Sequence, residues 1–220
     1  MNVTLVILGI VLIVLIYVIY QYVTNVSQEI SDYKNVTTSA TSVTPEELSS
    51  PNSTRYAHSI WVYVKKHSGE CPFITFSNGD TQNPAGTKLY LAGSTPTLKY
   101  ASVAATAAGE SELIITDNFP IQKWVCLTIS IDNQIVDVYM DGKLVKSAKY
   151  THGTPSTWTL SSGSFEGYIT KFKRWAEPLN PQKVYDIYME GNGRSGILPA
   201  YGVDLSLFKD NIEQSKFTLF

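Results

Sequence analysis

The feature that most restricts this chain is Asp141-Gly142, set between two alternating arms in VDVYMDGKLVKSAKY, residues 136–150. A two-residue turn of type I′ takes positive φ at both central positions, which Asp followed by Gly tolerates and most pairs do not. Upstream, Val136, Val138 and Met140 alternate with Ile135, Asp137 and Tyr139; downstream, Leu144, Lys146 and Ala148 alternate with Val145, Ser147 and Lys149. A period of two on both sides predicts an antiparallel hairpin. Just before it, in KWVCLTISI, Val125, Leu127, Ile129 and Ile131 share one face, and Asp132-Asn133-Gln134 forms the next turn. Three consecutive antiparallel strands follow from local pattern, a motif common to all-β meanders.

Similar segments recur through the chain: SIWVYVKK, PFITFSN, TKLYLAG, TLKYAS, ELIIT and FEGYITKFKRWA, punctuated by Gly, Pro, Asn and Asp. In SIWVYVKK, Ile60, Val62 and Val64 alternate with Trp61, Tyr63 and Lys65. Short strands at this spacing predict an all-β antiparallel β-sandwich of the jelly-roll type. One short helix is expected over Pro181–Met189, with Pro in its first turn and Gly191 just past its end. Its Val184, Ile187 and Tyr188 would face the sheet. The alternation in GVDLSLF suits a final strand. The sandwich is assigned to residues 55–220, long enough to bury about 70% of its unfolded surface.

The N-terminus is of a different kind. From Val3 to Tyr20 there is no charged residue, and 14 positions are Val, Leu or Ile. An isolated strand in lipid leaves its backbone polar groups unpaired, so the run is expected as a single transmembrane helix, residues 1–23, contacting the bilayer through residues 3–23. Tyr17, Tyr20 and Tyr22 cluster at one end, where amphipathic rings favour the membrane interface. No Lys or Arg precedes the run and no A-x-A-like site follows it, which argues against a cleaved signal. The bulk of the chain then lies C-terminal to a single-pass anchor. Residues 24–54 are rich in Ser, Thr and Asn, show no sustained period and are expected as an extended stalk, with a short turn at Pro45–Leu48 capped by Thr44.

The order of these segments resembles a known family. A Trp-bearing early strand, KWVCLTISID, VDVYMDGKLV and then FEGYITKFKRWAEPLNPQKVYDIYMEGNG look like the laminin-G-like members of the concanavalin A-like lectin/glucanase superfamily. The matching positions are Trp124, Tyr139, Asp141, Gly142, Gly167, Ile169, Phe172, Trp175, Leu179, Pro181, Val184, Ile187 and Tyr188. The resemblance implies a concanavalin A-like sandwich, with Trp61, Trp124 and Trp175 at core positions. An anchor, a stalk and one such domain also resemble, in layout, membrane-anchored minor structural proteins of large DNA viruses. That layout implies a capsid or coat protein as partner and the internal membrane of a virion as a location.

The chemistry is sparse. Charged residues make up 16% of the chain and the net charge is −2, which gives no electrostatic footprint for nucleic acid. The glucanases of the superfamily carry E-x-D-x-x-E on one strand; here Glu110 and Glu112 stand without the other acids, and Asp204 and Asp210 are isolated. His58, His67 and His152 show no metal-ligand spacing, so no enzyme and no resident cofactor are expected. For the calcium that laminin-G-like domains sometimes hold at the rim, the turn residues Asp80, Asp117, Asp132 and Asn133 are the weak candidates. Cys71 and Cys126 either form one bridge or are two buried thiols. Trp158, in THGTPSTWTL, is expected to be exposed and is the one aromatic candidate for a glycan platform. The expected function is thus a non-enzymatic structural or interaction protein whose sandwich docks on a protein layer beside the membrane. The alternative is a membrane-displayed carbohydrate-binding, lectin-like module.

Overall fold

The structure is a computed structural model that describes residues 3–24, 27–79, 85–103, 111–150, 158–193, 204–209 and 212–218; side chains are described for 7–17, 19, 27–79, 85–102, 112–150 and 158–193. The chain runs α1 (Val3–Thr24), β1 (Gln28–Ser31), β2 (Lys34–Asn35), β3 (Thr41–Val43), β4 (Arg55–Val64), β5 (Cys71–Ser77), β6 (Gly86–Ala92), β7 (Thr97–Val103) and β8 (Ser111–Thr116). It continues β9 (Trp124–Asp132), β10 (Ile135–Met140), β11 (Lys143–Lys149), β12 (Thr159–Ser162), β13 (Gly167–Trp175), α2 (Pro181–Met189), β14 (Asp204–Lys209) and β15 (Ile212–Thr218).

Two antiparallel sheets form the sandwich. One has the order β1-β13-β4-β9-β10-β11, with β2 also on β13; the other has the order β3-β12-β5-β6-β7-β8. The expected meander is β9-β10-β11, and its hairpin turns through Asp141 and Gly142 at φ 49° and 75°. The inward alternation fills one core: Ile60, Val62, Val125 and Leu127 from the first sheet meet Phe73, Phe76, Leu89 and Leu98 from the second. Each such side chain contributes about 1.5–3 kcal/mol on leaving water.

The outer face of the first sheet carries a second, smaller cluster, where α2 lays Val184 and Ile187 over Ala57, Tyr139 and Trp175. The helix starts at Asn180, whose side chain accepts from the Lys183 N–H, and has Pro181 in its first turn. Gly142 fixes the approach of the hairpin to this helix: a Cβ there would lie 3.1 Å from Tyr188 Cβ.

Residues 24–54 are not a stalk. Residues 28–31 and 34–35 pair with β13, and residues 41–43 pair with β12, so the segment closes one side of the sandwich across both sheets. Val36 and Leu48 are buried in the core. The expected turn is present as a 3₁₀ turn over Pro45–Glu47, with the Thr44 N–H donating to Glu47 Oε2 at 3.1 Å. These strands are two to four residues long on sheet edges, too short to print a period. At the other end, β14 and β15 form a separate two-stranded sheet rather than a final strand of the sandwich. Helix α1 is 22 residues long, and its described side chains, 7–17 and 19, are 53–68% exposed where large and apolar. Over the described residues, which in α1 include the side chains of 7–17 and 19 alone, no helix is long and apolar enough to cross a membrane. The side chains of Tyr20 and Tyr22 lie outside the described set, whereas Tyr17 is 61% exposed.

Candidate functional site: an aromatic pocket on the outer face

Outward positions alternate along β4 as Ala57, Ser59, Trp61 and Tyr63. The first three are buried: Ala57 packs beneath α2, Ser59 bonds the Thr128 hydroxyl at 3.0 Å, and Trp61 stacks on Tyr188 of α2 with ring centroids 5.8 Å apart. Tyr63 lies past this cover and is only half-buried. Cross-strand pairing then sets an aromatic row, because Tyr63 lies opposite Tyr168 of β13 on one side and opposite Trp124 of β9 on the other. Tyr33, in the turn between β1 and β2, stacks on Tyr168 with centroids 5.6 Å apart and planes 22° apart. The Tyr63 and Trp124 rings are 5.6 Å apart.

These four rings and Lys65 line a pocket of about 310 Å³. Lys65 Nζ stands 4.4 Å from the Tyr168 ring centroid. A hydrogen bond with Tyr168 is the main cause that raises the Lys65 pKa, with the nearby Glu166 charge adding to it. The backbone around the pocket is pinned: the Lys65 N–H donates to Glu166 O at 2.8 Å, and the Gln122 N–H donates to Val64 O at 2.7 Å. Beside Tyr168, Gly167 has no substitute, since a Cβ there would fall 2.2 Å from the Tyr63 carbonyl. Chemically, the site offers stacked π-faces, tyrosine hydroxyls and one cation. That combination suits a small ligand with apolar ring faces and polar edges.

The residues singled out from sequence fare differently. Trp158 is not exposed: it is 2% accessible and packs edge-to-face on Phe76 at 5.2 Å. Its position at the mouth of β12 turns the ring into the core, so it cannot serve as a platform. Trp61 and Trp175 are buried as the resemblance implied, but Trp124 is half-buried and lines the pocket. Cys71 and Cys126 are both free and buried. Their strands, β5 and β9, belong to opposite sheets, and Cys126 faces away from the core, 3.9 Å from Ser59 Oγ, so no bridge joins them. Burial pushes the Cys126 thiol up to about 12 and raises that of Cys71.

Asp132 and Asn133 come together on the β9–β10 turn but are engaged. Asp132 pairs with Arg55 at 2.8 Å, and Asn133 Oδ1 accepts from the Thr54 hydroxyl at 2.9 Å. Asp117 follows β8 of the other sheet and does not join them, and Asp80 lies outside the described residues. Among the described residues no group of three His, Cys, Asp or Glu could hold a metal ion. Glu112 accepts from the Tyr90 hydroxyl and pairs with Lys99 at 2.9 Å; the Tyr90 bond, then Lys99, lowers its pKa. His58 is buried, His67 Nε2 lies 3.0 Å from Gly93 O, and Glu110, His152 and Asp210 lie outside the described residues, as does the side chain of Asp204.

Two antiparallel sheets packed around one core define a β-sandwich of the jelly-roll class. Residues 35–185 match the family described as the concanavalin A-like lectin/glucanases superfamily, and the chain belongs to it. Among solved structures, the receptor binding domain of a botulinum neurotoxin C/D mosaic serotype is similar at TM-score 0.57 and 16% identity, over 75% of this chain and 45% of that one. The serotype G binding domain is similar at TM-score 0.54 and 17% identity, over 74% and 46%. The chain thus spans less than half of these domains, and at such identity the likeness shows the fold alone. No curated protein matches the sequence.

Proposed function

We propose that the protein is a membrane-anchored, non-catalytic binding module that takes a carbohydrate in the pocket of Tyr33, Tyr63, Lys65, Trp124 and Tyr168. The pocket carries this reading. Sugar rings present apolar C–H faces that stack on aromatic rings and hydroxyl edges that hydrogen-bond. Its volume of about 310 Å³ matches the low end of small-molecule sites, roughly 300–1,000 Å³. The fold supports it too, since like-folded botulinum domains are receptor binding domains. The anchor is supported by α1, whose 22 residues carry no charge and extend about 33 Å.

The test is a glycan array probed with the full chain in detergent, beside the double variant Tyr63→Ala/Trp124→Ala. Binding by the parent and its loss in the variant, with thermal unfolding retained, is the expected result. No saturable binding by the parent overturns the reading. A second reading, docking on a protein layer such as a viral coat, is supported by apolar surface around α2 and β11: Leu144, Tyr185 and Met189 are 53%, 45% and 63% exposed. Reproducible cross-links from Lys143 to one abundant protein on the native membrane would favour it.

A further inference from the structure

We infer that the pocket is held at the pole of the sandwich opposite its tether, so that the sugar it fits is carried by a surface facing the protein's own membrane; this rests on the anchor and the pocket proposed above. Only Asn25, Val26 and Ser27 separate the end of α1 from β1, so Thr24 and Gln28 are at most about 14 Å apart. Gln28 is fixed to the sandwich, because its Oε1 accepts from the Ser49 N–H at 2.8 Å and its Nε2 donates to Glu47 O. It pairs with Arg174 of β13, which in turn lies opposite His58 of β4, itself opposite Ile129 of β9. The tether therefore enters where β4 begins and where β9 and β13 end.

The pocket is at the other end of the same three strands. Along β4 five residues separate His58 from Tyr63, which lie opposite Arg174 and Tyr168 of β13, a span of about 17 Å. Tyr63 lies opposite Tyr168 near the end of β4, and Trp124 opens β9. Because the stalk is folded into the sheets, no long linker lets the domain turn over. Tyr63, Trp124 and Tyr168 are half-buried around the cavity, and Tyr33 at its rim is 43% exposed. With the tether fixed at the opposite end of these strands, the site meets a facing surface before it meets its own bilayer.

The full chain is labelled with a thiol-reactive fluorophore at Lys123→Cys, beside Trp124, or at Gln134→Cys, in the β9–β10 turn at the tethered pole. Both positions are exposed, and the native Cys71 and Cys126 are 2% accessible, so labelling is selective. The protein is reconstituted in phosphatidylcholine vesicles containing a headgroup spin label that quenches at short range. Quenching several-fold stronger at 134 than at 123 is expected. Equal or stronger quenching at 123 overturns the inference, since the pocket would then rest on its own bilayer. No quenching at either site overturns it as well, because the short tether would not be holding the sandwich at the membrane. If the protein does not float with the vesicles, the anchor and this inference fall together, while sugar binding on the array still judges the pocket by itself.

Discussion

Strands β4 and β13 build two cation–aromatic clusters, one facing in and one facing out. Inside, the Arg174 guanidinium lies 5.0 Å from the Tyr56 ring and 5.1 Å from that of Phe76, with His58 Nε2 3.5 Å from Nη1. Outside, the Lys65 amine lies 4.4 Å from Tyr168. The contacts are alike, yet the charge responds in opposite senses. Burial pulls the Arg174 pKa down to about 10, and the pKa of the half-buried Lys65 is raised by its hydrogen bond with Tyr168. The rings stabilise a cation in both places; the inner one is fully buried, and among the described residues no carboxylate pairs with it. The inner cluster is thus a problem of stability, and the outer one a surface free to bind.

The largest difference is expected from truncating a ring on each side. Phe76 contacts Tyr56, His58 and Trp158 as well as Arg174. Phe76→Ala should cost about 3–5 kcal/mol in chemical denaturation, as lost burial and a cavity add. Tyr63→Ala, half-buried at the pocket, should cost about 1 kcal/mol and abolish glycan binding. Equal costs would erase the distinction between a structural and a functional cluster.

Next in size is the charge of Arg174 itself. Its Nη2 donates to Ser50 O at 3.3 Å, but its Nε has no partner among the described residues. Arg174→Met keeps the volume and removes the desolvated charge, so the protein should become more stable by about 1–4 kcal/mol. A loss of similar size would mean that the guanidinium contributes more through its bonds than burial takes away.

A smaller effect belongs to His58. Burial, then the Arg174 charge, holds its pKa well below 6.5. The folded imidazole stays neutral while the unfolded one binds a proton below about pH 6.5, so unfolding takes up a proton there. Stability should therefore fall as pH drops below about 6.5, by at most about 1.4 kcal/mol per pH unit. Above that pH the residue adds no slope. Urea titrations at pH 7, 6 and 5 check this, and His58→Leu should flatten the trend. An unchanged slope in that variant would move the cause to other groups.

Much of this architecture was legible in the sequence, because period and turn chemistry are local. Asp141-Gly142 set the hairpin, Pro181 and Gly191 bracketed α2, and the inward alternation of Val125 to Ile131 marked the core. What covers a strand is not local. Trp61 and Tyr63 are both outward on β4, two residues apart, and α2 alone decides that one is buried and the other lines a pocket. The period shows an aromatic outward face without showing which part of it stays open. Tyr33 was hidden for another reason, since β1 and β2 are too short to break the appearance of a polar stalk. Trp158 misled because its polar neighbours resemble a loop, whereas the ring fills the inner cluster beside Phe76.

The smallest structural effect, and the sharpest functional one, is expected at Lys65. Its side chain is half-buried at the rim and not in the core, so Lys65→Gln should move the thermal midpoint little, in contrast to any change at Arg174. If the amine donates to a bound sugar, the same variant should weaken binding several-fold in titrations against the glycan identified on the array. The pH profile separates charge from shape. Because a hydrogen bond with Tyr168 raises the pKa, the amine keeps its proton through the neutral and mildly alkaline range, and binding should stay flat there and fall only in stronger alkali. In Lys65→Gln that alkaline fall should disappear while the weaker binding remains. A profile that still falls at high pH in the variant would show that the Lys65 amine is not the group that controls binding, and the outer cluster would then bind through its rings alone.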